Sequence, residues 1–258
     1  MKYCALITGA SSGIGQELSY LFAKDGYDII LVARSKDKLS DISNDIFAKY
    51  KVNVTVIPKD LSLPDSAREI YDLVRGKSLT VGFLINNAGY GGSGSFADSD
   101  IKYEHDMMQV NMISLTELTK YFLRDMIQQK HGKILNVAST AGFAPGPFMS
   151  IYYASKAFVL SFSEALSNEL KGTGVSVTAL CPGPTRTGFQ KRANVEKTRL
   201  LSANVMDASK VAYKGYKALM KGKTIVIPGI VNKLLIQSIR LSPRKLVTGI
   251  TRWMQSSR

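Results

Sequence analysis

Short apolar runs alternate with longer amphipathic segments along most of this 258-residue chain. Ala5 to Ile7, Asp28 to Ala33, Asn53 to Pro58, Gly82 to Asn86, Gly132 to Ala138 and Val175 to Leu180 have the length and apolar character of strands. Between them, hydrophobic residues recur at helical spacing over about Gly13 to Asp25, Lys36 to Lys49, Pro64 to Arg75, Ile101 to Gln129 and Ile151 to Lys171. Strands without a polar side, separated by helices, predict a parallel sheet covered on both faces. The expectation is a single doubly wound α/β sheet of about seven strands, with helices on both faces and its ligand crevice at the carboxyl ends of the strands.

Past Gly229 the chain holds more than such a sheet needs, so residues 1–229 are read as the Rossmann-type sheet domain and 230–258 as a basic helical extension. Val231, Leu234, Leu235 and Ile239 share one helical face, and Lys233, Gln237 and Arg240 the other. Ser242 and Pro243 read as an N-cap followed by a first-turn proline. A second amphipathic stretch sets Leu246, Val247, Ile250, Trp253 and Met254 against Arg244, Lys245, Thr248 and Arg252. Such segments resemble membrane-surface helices. Packing on the chain's own domain or on a partner subunit is the commoner outcome and the favoured reading.

Charge sharpens that picture. The net charge is +14, and after Asp207 the chain has eleven lysines and arginines and no carboxylate side chain. The remainder is nearly balanced, which argues for one local basic feature and against a nucleic-acid-binding surface. Cys4 and Cys181 fit no metal or disulfide spacing and read as reduced core residues. No apolar run reaches the length of a bilayer span, and the hydrophobic stretch at the start is too short for a signal peptide. The expectation is a soluble, cytoplasmic protein with no metal.

The chemistry begins at Thr8-Gly9-Ala10-Ser11-Ser12-Gly13-Ile14-Gly15, a glycine-rich turn between a strand and a helix. Glycines let a backbone approach a pyrophosphate closely, and the helix start offers free N–H groups. Tight packing alone would also use them. At the end of the second strand, where a ribose-binding carboxylate is usual, the chain reads Leu31-Val32-Ala33-Arg34-Ser35. Arg34, helped by Ser35, Ser12 or Lys38, suits a 2′-phosphate and so predicts NADP(H). Asp60 and Asn87 end the third and fourth strands. They are candidates to meet the adenine and adenosine, or to cap turns and satisfy loop backbone.

Tyr152 and Lys156 lie four apart on a predicted helix, hence on one face. A unit charge about 4 Å away at an effective dielectric near 20 is worth roughly 4 kcal/mol. A downward shift of roughly two to three units is affordable on Coulomb grounds alone, before desolvation opposes it, and such a phenol could exchange protons near neutral pH. The apolar loop with Phe143, Pro145, Pro147, Phe148 and Met149 predicts a greasy substrate end, and the segment from Thr187 to Asp207 is read as a lid.

Taken in order, Thr8 to Gly15, Asn86-Asn87-Ala88-Gly89 and Tyr152-x-x-x-Lys156 resemble the motifs of the short-chain dehydrogenase/reductase family, over almost everything from Lys2 to about Gly229. The resemblance implies a Rossmann-type fold and hydride transfer between a nicotinamide and a carbonyl or alcohol carbon. It implies that Tyr152 is the general acid, Lys156 its tuner and ribose ligand, Ser139 the carbonyl polariser and Asn111 the holder of a relay water. It places Gly9, Ser11, Ser12, Gly13, Ile14, Gly15, Arg34, Asp60, Asn87, Tyr152, Lys156, Pro182, Gly183 and Thr185 around the cofactor, and it suggests a homodimer or homotetramer. An NADP(H)-dependent reductase acting on a lipophilic carbonyl or 3-oxoacyl compound is the expected activity. A catalytically idle NADP-binding protein that works through membrane or partner contacts is the alternative.

Overall fold

The computed structural model describes residues 3–193, 195 and 205–256. Its order is β1 (Tyr3–Thr8), α1 (Gly13–Lys24), β2 (Asp28–Ala33), α2 (Lys36–Tyr50), β3 (Val54–Pro58), α3 (Ser66–Gly76) and β4 (Thr80–Asn86). Then come α4 (Ile101–Met108), α5 (Ser114–Gln128), β5 (Gly132–Val137), α6 (Ser150–Glu169), β6 (Val175–Leu180), β7 (Thr185–Arg186) and α7 (Phe189–Arg192). The chain closes with β8 (Met206–Asp207), α8 (Ala208–Met220), β9 (Ile225–Val226), α9 (Ile230–Leu241) and α10 (Arg244–Gln255). Seven strands form one all-parallel sheet in the order β3-β2-β1-β4-β5-β6-β9. The doubly wound α/β fold expected from the sequence is therefore present. Its seventh strand is the two-residue β9, too short to carry a pattern of its own.

Alternate residues of each strand feed two cores, as the pleat requires. Ala5, Ile7, Ile29, Leu31, Phe83, Ile85 and Leu135 pack with Leu18 and Phe22 of α1, Leu39 and Ile46 of α2 and Leu219 of α8. On the other face Leu6, Ile30, Leu84 and Ile134 meet Ile70 of α3 and Leu118, Phe122 and Met126 of α5. Leu18 and Phe22 have no exposed surface, and burying a side chain of that size contributes about 1.5–3 kcal/mol.

A polar ladder runs through the second of these cores. Asn86 and Asn136 are register partners on β4 and β5. The Asn86 amide donates to Thr119 Oγ1 and Asn136 Oδ1, both at 2.9 Å, and the Asn136 amide donates to Ser163 Oγ at 2.9 Å. Two neighbouring strands and the helices α5 and α6 are thereby tied by buried side chains.

Four expectations are corrected. The helix read from Pro64 starts at Ser66, because Asp65 takes a left-handed conformation (φ 59°) outside the helix. The segment from Ile101 to Gln129 is broken by a π-helical turn at Gln109–Ile113. The apolar face of α9 points outward: Asn232 and Ile236 are buried, whereas Val231, Leu234 and Leu235 are exposed. Ser242 does not cap α10. Its hydroxyl donates back to the Ser238 carbonyl at 2.7 Å, and Pro243 takes the capping position. Among the described residues no helix is long and apolar enough to cross a membrane.

Candidate active site

A cavity of about 440 Å³ opens along the carboxyl ends of β1, β2, β4, β5 and β6, a volume typical of small-molecule sites. Its floor is the turn from Gly9 to Gly13. Gly9 has φ +64°, and a Cβ there would lie 2.8 Å from Asn87 Nδ2. Only glycine fits so flat a turn. Asn87 lines the cavity, but its amide is committed: Nδ2 donates to the carbonyls of Thr8 and Gly9 at 2.9 and 3.2 Å. Thr8 completes the brace, its Oγ1 accepting from the N–H groups of Asn87 and Ala88 at 3.0 Å each. Ser11, Ser12 and Ile14 line the same stretch, while Gly15 packs behind it, where a Cβ would meet Gly9 O at 2.5 Å.

Arg34, Ser35 and Lys38 form one end of the cavity. The Arg34 side chain is 62% exposed, and its Nη1 lies 3.8 Å from Asp60 Oδ2. Asp60 serves as wall and as turn cap at once, since its Oδ1 accepts from the backbone and hydroxyl of Ser62 at 3.0 and 2.8 Å. Both roles foreseen for it are compatible.

At the other end α6 brings Tyr152 and Lys156 to the cavity, β5 delivers Ser139, and the segment after β6 adds Pro182, Gly183 and Thr185. Ser139 Oγ accepts from Ala141 N–H at 3.1 Å and lies 3.4 Å from the Pro182 carbonyl. The Lys156 ammonium sits 5.8 Å from the centre of the Tyr152 ring and donates to the Val137 carbonyl at 2.8 Å.

The sequence expectation for the phenol is corrected here. Burial raises the pKa of Tyr152 above its ordinary value, against the lowering effect of a hydrogen bond with Ser139. Burial also lowers Lys156 to about 8. Desolvation disfavours both charged forms, so near neutral pH Tyr152 retains its proton.

Asn111 lies in the π-helical turn and is buried behind Gly89, outside the cavity lining. Its Nδ2 donates to Tyr90 O at 2.9 Å and Ser155 Oγ at 3.0 Å, and its Oδ1 accepts from Tyr90 N–H at 3.1 Å. Ser155 in turn donates to Tyr152 O at 2.7 Å. Asn111 thus joins the glycine-rich loop after β4 to the helix that holds the reactive pair. A π turn re-aims one side chain without ending the helix, a common device at functional sites.

The substrate end is apolar, lined by Met149, Tyr153, Phe189 and Val195. Of the loop residues expected there, only Met149 reaches it. Phe143 packs beside Leu115 and Val159, and Phe148 lies under the Arg252 guanidinium, 5.0 Å from ring centre to Cζ. The base of the lid is closed by the pairing of β7 with β8 and by Arg186 Nη1 donating to Asp207 Oδ1 at 2.9 Å. The rest of the lid, residues 194 and 196–204, lies outside the described residues.

Sequence reasoning missed Gln255, which comes from α10 to line the same cavity and donates from Nε2 to the Tyr153 hydroxyl at 2.6 Å. The two residues are 102 positions apart, and nothing local signals their meeting. Cys4 and Cys181 are buried in the sheet region as expected. No cluster of metal-ligating side chains occurs among the described residues.

A flat glycine turn at a helix start, an elongated crevice and a tyrosine–lysine–serine group at its far end define a dinucleotide-dependent oxidoreductase of the doubly wound class. Residues 3–198 match the short chain dehydrogenase family, and the chain belongs to it. It is 34% identical over 243 residues to the very-long-chain 3-oxoacyl-CoA reductase of Rattus norvegicus, covering 90% of this chain and 75% of that one. The Mus musculus protein of the same name is 36% identical, and there the match spans only 62% of the relative's length. Among solved structures, a short-chain dehydrogenase from Sphingobium yanoikuyae in complex with NADPH superposes with a TM-score of 0.83 at 31% identity, over 94% of this chain and 97% of that one. A bulky-bulky ketone specific alcohol dehydrogenase from Comamonas testosteroni gives 0.78 at 31% identity, over 94% and 95%.

Proposed function

We propose that the protein uses NADPH to reduce the 3-oxo group of a lipophilic acyl thioester. The observation that carries this reading is the Ser139, Tyr152 and Lys156 group at one end of a cavity whose opposite end offers Arg34 in place of a carboxylate. The chain suits the cofactor: the turn at Gly9 leaves room for a pyrophosphate against the start of α1, and the exposed Arg34 guanidinium with Lys38 suits a 2′-phosphate. A bound nicotinamide supplies the hydride.

The protein's part is orientation and proton delivery. The Ser139 hydroxyl donates to the substrate carbonyl oxygen and polarises it. The Tyr152 hydroxyl, kept protonated by burial, then gives its proton to that same oxygen as charge develops there. The Lys156 ammonium, within 6 Å of the phenol ring, favours the phenolate left behind. Met149, Tyr153, Phe189 and Val195 accept the alkyl chain, and the acyl-CoA reductases to which the chain is similar support a thioester over a free ketone.

Cytoplasmic residence and assembly into dimers or tetramers belong to the same proposal. Ile113 beside α5 and Phe158 on α6, 45% and 40% exposed, offer apolar surface for such assembly. The deciding experiment follows NADPH oxidation with 3-oxoacyl-CoA substrates of increasing chain length. Turnover should rise with chain length, vanish in Tyr152→Phe and persist in Tyr153→Phe. Equal activity in wild type and Tyr152→Phe would sink the mechanism. Activity confined to free bulky ketones would move the substrate class to that of the Comamonas structure.

A further inference from the structure

The basic C-terminal helices are not needed to complete the sheet, yet they are ordered and lie against the cleft. Each has three kinds of side chain on separate arcs. Inward-facing are Asn232 and Ile236 of α9 and Val247 and Gln255 of α10. Outward, Val231, Leu234 and Leu241 of α9 and Leu246, Ile250 and Trp253 of α10 are all exposed, Leu241 to 88% and Leu234 to 65%. Along the flanks of these apolar arcs run Lys233 and Arg240 on α9, and Lys245 on α10. Scattered exposed leucines are ordinary. Two consecutive helices that both turn an apolar stripe outward beside a basic stripe are not, and the pattern is that of a helix lying in a lipid interface.

We infer that α9 and α10 form a docking surface for an anionic membrane. Charge decides between the occupants. A second copy meeting this face about a two-fold axis would bring the same cations together, and the chain has no carboxylate side chain after Asp207 to neutralise them. A lipid surface rich in phosphate esters supplies both the apolar medium for Leu234 and Ile250 and the negative charge for the flanks.

The same two helices connect the surface to the chemistry. Gln255 on the inner arc of α10 lines the cavity and donates to Tyr153, and Arg252 one turn earlier covers Phe148. Docking therefore sets the apolar end of the cleft beside the bilayer, where a long-chain substrate resides. This last step rests on the lipophilic substrate proposed above, whereas the docking itself does not.

Flotation of the full-length protein with vesicles of phosphatidylcholine, with and without about one-third phosphatidylglycerol, tests the inference without requiring turnover. The wild type should float with the anionic vesicles and release at high salt. Leu234→Asp combined with Ile250→Asp should reduce binding at least tenfold, and Lys233→Glu with Lys245→Glu by about fivefold per cation. All four positions are exposed, so circular dichroism and NADPH affinity should match those of the wild type. Failure of the wild type to float with anionic vesicles overturns the proposal whatever the variants do. So does flotation unchanged in the variants, and so does a mass halved in light scattering by the aspartates while flotation stays the same, which would mark the face as a subunit interface.

Discussion

Lys156 is a cation held 5% exposed with one hydrogen bond, to the Val137 carbonyl, and replacing it by methionine measures what that burial costs. Its pKa of about 8 lies below the ordinary 10.5, so between these values the folded protein binds fewer protons than the unfolded chain. The charge therefore lowers stability below pH 8, and the penalty is relieved as pH rises toward 10.5. By linkage the penalty is about 3 kcal/mol at pH 7 and under about 1 kcal/mol at pH 10. Methionine has a similar length and no charge to desolvate, but it also gives up the bond to Val137. That loss enters as an offset common to both pH values. The diagnostic quantity is hence the change in the gap between the two proteins, which should move by about 2–3 kcal/mol in favour of the wild type from pH 7 to pH 10. Urea unfolding of the ligand-free proteins at both pH values, followed by circular dichroism, reads it directly. A gap constant to within about 0.5 kcal/mol would refute the reasoning and mean that the ammonium is solvated or paired.

Arg34→Ala should raise the dissociation constant for NADPH tenfold or more while leaving that for NADH within about twofold, since only the former carries the phosphate that the guanidinium meets; calorimetry with both cofactors checks it. Gly91→Ala places a Cβ 3.0 Å from Phe189 Cζ and from Tyr152 Cδ2, and should lower kcat about tenfold with cofactor affinity retained, because the reacting phenol is displaced. Asn136→Leu takes from the Asn86 amide one of its two acceptors and from Ser163 Oγ its donor, leaving the bonds to Thr119 and to the Val159 carbonyl, and should cost about 1–3 kcal/mol in urea unfolding. A loss below about 1 kcal/mol would mean that the ladder relaxes around the change.

Much of the site could be read from the chain because its parts sit where strands end. Gly9, Arg34, Ser139 and Tyr152 are separated by long stretches of sequence, but a doubly wound sheet brings every carboxyl strand end to one edge, so a motif after a strand is already a position in space. What the sequence could not show were matters of energy balance and of direction. Proximity of Lys156 to Tyr152 was legible, yet how strongly the fold would desolvate both was not, and desolvation reversed the expected direction of the phenol's pKa. The periodicity of α9 revealed two faces without saying which was inside. The inward one includes the polar Asn232, which donates to the Pro228 carbonyl at 2.7 Å and packs on Gly183, where a Cβ would meet its Nδ2 at 2.6 Å. Asn111 was found as a residue, whereas its π-helical turn depends on hydrogen bonds to Tyr90 and Ser155 that no local pattern encodes.

The asparagine ladder between β4 and β5 bears on how the chain finds this structure. Parallel strands separated by a helical crossover must close a long loop before their pairing returns anything, which makes misaligned encounters frequent during folding. Shifting β5 by one residue would turn Asn136 toward the face occupied by Leu135, among Ile7, Phe83 and Ile85. There its amide would meet no partner, and the Asn86 amide opposite would lose one, at roughly 1–3 kcal/mol for each. An all-aliphatic pair would tolerate the slip far better. The ladder thus penalises a misregistered pairing of β4 with β5, and with it any sheet whose strand ends would not line up to form the crevice.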